Sequence, residues 1–600
     1  MGINVRGTAY MNFTPIKGLT YTSRFGYIIG YNTNHSYTQP YYSSPTIKAT
    51  NYTLSADVNT NYGYTWENFI NFNRTFGINE ITAMAGMSFH EDFKDNMHAD
   101  ATGPDILKGY ASNYIFLSNV LSNESTTRTY RNEPTRHANL SYFGRLGYTF
   151  DNKYAIQGNF RADAFDTDKL PQGNTRWGYF PSVSAGWTIS NEDFIRDNID
   201  REVLSFLKFR ASWGVNGNVN VLHDYMYSTS VLENTVFYQY DIDSPVMSLG
   251  SLPSGLANPD LRWERSVQTD LGLDARFLNN RLTVGFDWFN KNTDDLLVPV
   301  SPAIEVGVPA FQEKGINPTT TVNAGSINNK GIEIDLGWRD QIGDFGYSID
   351  ANASFIKNEV TYLEPTVGRL TGRTVQGTKL TAVCMEGYPI WSYLGYKSTG
   401  IDSEGYALFA TYDENGKKTG ETRTPDETRD RVIIGSGIPD MTYGITINLN
   451  WKNFDLSVFG TGVQGVDIYP TAFRVDRPSC NTYAYYWKNS WKKAGDESSA
   501  KFPKANLWNT EAFSSDLSVF DGSYFKIKQI QLGYTLPKSI SKKFAVSNLR
   551  AYAMLDNFIT FTKYIGLDPE TASAGSNALG FDMGNFPTSK SVIFGLNLEF

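Results

Sequence analysis

The clearest stretches of the chain alternate apolar and polar residues with a period of two. Val267, Thr269, Leu271, Leu273, Ala275 and Phe277 form one set, with Gln268, Asp270, Gly272, Asp274 and Arg276 between them. After Leu278-Asn279-Asn280-Arg281 the alternation resumes, with Leu282, Val284, Phe286 and Trp288 set against Thr283, Gly285 and Asp287. Successive side chains of a strand point to opposite faces, so this segment reads as a hairpin with one apolar and one polar face. The same alternation fills 140–160, 345–355 and 443–458. It predicts about 17 strands, near 5–14, 19–31, 62–76, 81–89, 137–150, 154–165, 180–190, 207–217, 263–277, 282–296, 330–339, 345–360, 443–451, 454–462, 524–536, 549–558 and 591–600.

Between them, short turns alternate with long polar connections at 33–60, 93–135, 218–260, 297–328, 361–440, 462–522 and 559–588, rich in Asn, Ser, Thr and Gly. Two architectures carry period-two strands. An array of β-sandwiches should repeat roughly every 100 residues, and no such repeat occurs. A transmembrane barrel needs strands of ~9–11 residues, apolar outward and polar inward, with short turns at one end and long loops at the other. No apolar run reaches the ~18 residues of a membrane helix. In lipid only helices and closed barrels satisfy every backbone polar group, so the barrel is the spanning option for this chain.

Composition narrows the picture further. Aromatic residues make up 14% of the 600 and charged residues 19%, with a mean hydropathy of −0.37. Disordered chains are poor in aromatics, so disorder is excluded. The net charge of −9 argues against nucleic acid, whose phosphates demand a basic surface. Cys384 and Cys480 provide neither a disulfide framework nor a thiolate metal site, and the five histidines contain no HExxH pair. With no P-loop and no GxSxG elbow, no catalytic residue, cofactor or metal is expected. Asp413-Glu414-Asn415-Gly416 lacks the spacing of a calcium loop and reads as a solvated turn.

The end of the chain alternates too: Val592, Phe594, Leu596, Leu598 and Phe600 against Ile593, Gly595, Asn597 and Glu599. A final amphipathic strand closing on an aromatic is similar to the signal read by bacterial outer-membrane assembly machinery, which makes Phe600, Leu598 and Leu596 the candidate assembly signal. The first residues carry no apolar leader. If the last strand runs down into the periplasm, an odd count makes the first run down as well, so strands are expected upstream. About five more would give the 22 of large plugged outer-membrane transporters.

The longer motifs resemble a known family. They include Arg176-Trp177-Gly178-Tyr179-Phe180-Pro181-Ser182, Leu207-Lys208-Phe209-Arg210-Ala211-Ser212-Trp213-Gly214 and Asn258-Pro259-Asp260-Leu261-Arg262-Trp263-Glu264. They continue with Asn328-Asn329-Lys330-Gly331-Ile332-Glu333-Ile334, Pro439-Asp440-Met441-Thr442-Tyr443-Gly444, Phe525-Lys526-Ile527-Lys528 and Tyr564-Ile565-Gly566-Leu567-Asp568-Pro569-Glu570. In order and number these resemble the carboxy-terminal barrel portion of SusC/RagA-family TonB-linked outer-membrane proteins of Bacteroidetes-type bacteria. The resemblance implies an all-β, antiparallel transmembrane β-barrel of the TonB-dependent transporter type, residues 1–600 forming a partial barrel with long extracellular loops. The plug domain and first strands would lie upstream. It further implies import of oligosaccharides or peptides across the outer membrane, a SusD-like surface lipoprotein as partner, and TonB acting through a segment outside this chain. Trp391, Tyr393 and Tyr396 are candidates for stacking on a substrate, against simple loop packing. Two alternatives stay open: a passive porin-like or non-transporting barrel, and an extracellular β-sandwich adhesion protein.

Overall fold

The structure, a computed structural model, describes residues 2–45, 47–104, 117–120, 126–166, 168–171, 173–222, 224–229, 231–239, 247–253, 256–300, 320–365, 367–375, 378–471, 484–505, 510–541, 543, 546–573 and 575–599. Seventeen long strands among them coincide with the seventeen predicted by alternation. They are β1 (Gly2–Ile16), β2 (Leu19–Thr38), β3 (Tyr52–Phe76), β4 (Asn79–Gly103), β5 (Thr135–Phe150), β6 (Tyr154–Phe165), β7 (Trp177–Thr188), β8 (Leu204–Asn218) and β9 (Glu264–Phe277). The series continues with β10 (Leu282–Asp294), β11 (Gly325–Ile342), β12 (Phe345–Leu363), β13 (Met441–Trp451), β14 (Phe454–Gln464), β15 (Tyr524–Thr535), β16 (Asn548–Thr562) and β17 (Ser591–Glu599). The segment Thr127–Asn132 pairs with the far end of β4 while β5 pairs with the rest of it, so this segment is a continuation of β5 across a short break.

The chain divides into two compact units: residues 1–184, 214–264 and 299–322, and residues 185–213, 265–298 and 323–600. In the first, β1 to β6 form an antiparallel ladder in chain order and β7 joins β6. In the second, β9 to β17 do the same.

The register of the second unit explains the alternation. Phe277, Leu282, Trp338, Ile349, Ile447, Val458, Ile530, Leu555 and Val592 stand opposite one another in a single apolar row across nine strands. The neighbouring row, with Arg276, Thr283, Gly337, Asp350 and Thr446, is polar. At the turn end, Phe345, Trp451, Phe454 and Tyr534 align as an aromatic row, placed as interfacial girdles are. The apolar face is open: Phe594 is 80% exposed, and Leu596, Leu598, Leu532, Leu336 and Ile349 are exposed as well. The first unit repeats this with Tyr142, Leu146, Ile156 and Phe160. So much exposed apolar surface is far beyond a soluble monomer and suits lipid contact. Gly331 lets β11 approach its partner: a Cβ there would stand 2.0 Å from the carbonyl oxygen of Phe355.

Turn chemistry fixes which end is which. β5 and β6 join through Asp151 and Asn152, both at positive φ, and β9 and β10 through Leu278, Asn279 and Asn280, also at positive φ. Gly18, Gly77, Gly343 and Lys452 serve the other tight hairpins. The long connections lie at the opposite strand ends, the extracellular end in barrels of this type.

One expectation needs correction. The polar pattern predicts loops over 33–60 and 93–135, yet β3 and β4 pair without interruption from Tyr52–Gly103 to Phe76–Asn79. Twenty-five paired residues span roughly 80 Å, far beyond the hydrocarbon core. The outer parts of these strands need no apolar face where the ladder continues in water, and polar side chains bond across it there, Thr53 with Thr102 and His98 with Asp57.

Candidate functional site

In the second unit three long connections, 364–440, 465–523 and 563–590, fold onto one another. Val375, Leu380, Ala382 and Tyr393 of the first meet Tyr469 of the second and Ala578 and Phe581 of the third in one buried cluster. A four-stranded sheet built from Leu370–Thr374, Thr381–Cys384, Ser392–Tyr396 and Arg431–Gly435 gives the cap a scaffold. Tyr393 is its pin. Its ring is fully buried, and its hydroxyl lies 2.8 Å from both the Asp467 and Leu579 carbonyl oxygens. Burial drives its pKa far up, so the hydroxyl stays protonated and donates to one carbonyl at a time.

The third loop is clasped to β15. Lys526, only 2% exposed, donates to Asp568 Oδ1 at 2.9 Å and Oδ2 at 2.8 Å, to Glu570 Oε2 at 2.7 Å and to Thr588 Oγ1 at 2.7 Å. Lys528 also donates to Glu570. Burial alone would raise the pKa values of both carboxyls, but the Lys526 ammonium and the hydrogen bonds around them win, and both stay below the ordinary carboxylate range.

The cap carries a polar cleft of about 230 Å³, lined by Arg369, Thr371, Thr374, Thr378, Lys379, Thr381, Glu427 and Arg431 together with Val383 and Leu394. Lys379 Nζ pairs with Glu427 at 2.6 Å, which raises the lysine's pKa and lowers the glutamate's. Arg431 donates to the backbone carbonyls of Lys379 and Glu427 at 3.0 and 2.7 Å, which orients its guanidinium and leaves its charge in place. Threonine hydroxyls and guanidinium groups bind hydroxyl- and carboxylate-bearing molecules. Among the described residues no nucleophile paired with a base lines the cleft.

The three aromatics considered from the sequence lie inside this cap. Tyr393 and Tyr396 are fully buried, and Trp391, at positive φ, packs half-buried against two of its apolar clusters. As placed here, Tyr393 and Tyr396 offer no ring face to a ligand. Tyr396 packs with Ala407, Phe409 and Ala512, and its hydroxyl has no hydrogen-bond partner among the described residues. Leu596 and Leu598 stand on the open apolar face of β17, opposite Ala551 and Leu549, while Phe600 lies outside the described residues. The acidic turn closes a hairpin: Asp413 Oδ1 accepts from the backbone N–H groups of Asn415 and Lys417. Sequence reasoning passed over the cleft, although the closely spaced Thr371, Thr374, Thr378 and Thr381 were a visible signal.

On the polar face of the strands, Arg210 on β8 forks to Asp274 at 2.7 and 3.0 Å and reaches Asp287 at 3.0 Å, and Arg550 on β16 pairs with Asp455 on β14. Ion pairs on one face of the strands and bare aliphatic rows on the other are what an outer-membrane β-barrel requires, with lipid outside and water within. Residues 4–558 match the family described as TonB dependent receptor-like, beta-barrel, and the chain belongs to that family. It is 28% identical to TonB-dependent receptor P3 of Formosa agariphila, over 89% of this chain and 52% of that protein. It is likewise 28% identical to TonB-dependent receptor SusC of Bacteroides thetaiotaomicron, over 90% of this chain and 50% of that one. Among solved structures, the RagAB peptide importer in its closed-closed state has the same fold, with a TM-score of 0.78 at 24% identity, covering 100% of this chain and 62% of that one. The chain spans about half the length of the curated relatives it matches. The family is one of receptors and transporters, not of enzymes.

Proposed function

We propose that this chain is the barrel portion of a TonB-dependent outer-membrane importer that takes up oligosaccharides or peptides together with a SusD-like surface lipoprotein. A plug and the segment that contacts TonB are supplied, in this reading, by sequence beyond the 600 residues. The observation that carries it is the folded cap: three connections with a shared core and a hydroxyl- and guanidinium-lined cleft. A general porin needs only a lumen, whereas a cap of this kind supports selective capture and docking of a lid protein. The likeness to a peptide importer supports the peptide class, and the oligosaccharide class rests on the resemblance to the SusC/RagA family.

Deletion of the gene should abolish growth on the oligosaccharide or peptide it serves, and deletion of TonB should produce the same loss. Uptake that persists without TonB would identify a passive channel instead. Affinity purification from the native membrane should bring down a surface lipoprotein in equal amount, and its absence would remove the lid from the proposal.

A further inference from the structure

His137 stands near the long-loop end of β5, and Asp166 and Asp168 follow the last residue of its ladder partner, β6. One ligating atom from each of the three lies within 4.8 Å of the others. His137 Nδ1 is sealed from solvent and has no hydrogen-bond partner among the described residues. Asp166 Oδ2 stands 3.8 Å from it, too far for a hydrogen bond. The other ring nitrogen, Nε2, faces Asp224 Oδ1 at 3.4 Å. Asp166, Asp168 and Asp224 thus surround one imidazole, and no lysine or arginine among the described residues pairs with them. Lys169, adjacent in sequence, sends its ammonium to the carbonyl of Leu222 instead.

An ordinary histidine–aspartate ion pair would bring Nδ1–H to within about 3 Å of the carboxylate. The 3.8 Å separation leaves room for a third body between the two atoms and is a few tenths of an ångström wider than an ideal pair of ligands on one ion. Ligands held ~2.1 Å from a tetrahedral zinc ion stand about 3.4 Å from each other. The surroundings also fit. The backbone N–H of Ala138 donates to Asp166 Oδ2 at 2.7 Å, and that of Asp168 donates to Asp166 Oδ1 at 3.3 Å. The Tyr225 hydroxyl donates to Asp168 Oδ1 at 2.6 Å. Each carboxylate is therefore oriented by a donor, and the imidazole has a carboxylate behind its second nitrogen, as metal-bound histidines do.

We propose that His137 Nδ1, Asp166 and Asp168 bind a first-row divalent transition ion of the Zn²⁺ type, with Asp224 holding the imidazole tautomer and water completing the coordination. An imidazole among the donors selects such an ion over Ca²⁺, which takes oxygen. The ion would tie the outer ends of β5 and β6 to the connection after β8 that carries Asp224 and Tyr225. It is independent of the import reading.

The test is calorimetric titration of ZnCl₂ into the protein purified from outer membrane in detergent and stripped with EDTA. Heat-modifiable gel mobility would verify that each variant is folded. The folded protein should bind one Zn²⁺ per chain. His137→Gln and Asp168→Asn should each weaken binding by about 100-fold or more, and Asp224→Asn by roughly 10- to 100-fold. CaCl₂ should bind at least about tenfold more weakly than ZnCl₂. Absence of Zn²⁺ binding, binding undiminished in His137→Gln, or a preference for Ca²⁺ would overturn the assignment. If Asp168→Asn does not fold, the near-isosteric His137→Gln gives the same reading.

Discussion

Replacing Lys526 with methionine keeps the length and apolar stem of the side chain and removes only its charge. In the structure that charge is sealed inside the protein, with Asp568 6% exposed beside it and Glu570 and Thr588 completing its partners. An exposed ion pair is worth ~0–1 kcal/mol. Removing one partner of a buried pair leaves the other desolvated and unpaired, at a cost of about 3–5 kcal/mol. The loss falls on the loop rather than the barrel, because β15 keeps its ladder with β14 and β16. At 1.4 kcal/mol per tenfold, local opening of residues 563–590 should rise by roughly a hundredfold to a few thousandfold. Phe581 and Ala578 belong to the same loop and to the core around Tyr393 and Tyr469, so protection should also fall at 380–394 and 467–470. Hydrogen exchange followed by mass spectrometry reads both. Unchanged exchange in the loop would refute the clasp, and a general loss across β9–β14 would refute its confinement to the cap. The pH dependence has a definite sign. Both carboxyls have depressed pKa values in the folded state, so their contribution is fully present above the ordinary carboxylate values. It is lost as the pH falls below ~4.

Three further outcomes are expected. Tyr393→Phe removes the hydroxyl shared by two buried carbonyls, costs ~1–3 kcal/mol and speeds exchange at 467–470 and 579–582 without altering heat-modifiable mobility; exchange identical to wild type would contradict it. Gly331→Ala drives a methyl into the Phe355 carbonyl and costs ~1–3 kcal/mol, read as a lower unfolding temperature in detergent. Gly346→Ala, where the nearest atom is 3.9 Å away, should be neutral, and equal effects would refute the packing argument. Leu596→Arg places a charge on the lipid face at a cost of up to ~2–4 kcal/mol and should lower surface yield, as should deletion of Phe600; normal yield of both would exclude the terminal strand as an assembly element.

The strands were legible because lipid on one side and water on the other impose period two on every span, as Phe277 to Val592 show across nine of them. The outer reaches of β2, β3 and β4 were not, since a ladder standing in water needs no apolar face and leaves only Asn, Thr and Asp to read. The cap was hidden for a different reason. Tyr393 reaches its carbonyl partners 74 and 186 residues away, and contacts so distant leave no local period. Nor can a sequence distinguish an aromatic that closes a core from one that waits for a ligand, as Trp391, Tyr393 and Tyr396 illustrate. His137, Asp166, Asp168 and Asp224 share no motif and become neighbours only when β5 pairs with β6 and the loop after β8 folds back.

The central claim is that one face of each strand meets lipid and the other meets water. Nitroxide labels placed one at a time from 348 to 353 on β12, after Cys384 and Cys480 are replaced by serine, test it directly in reconstituted bilayers. Relaxation by oxygen should peak at 349, 351 and 353, and relaxation by a water-soluble nickel chelate at 348, 350 and 352. Equal access of the chelate to all six positions would contradict a membrane-spanning barrel.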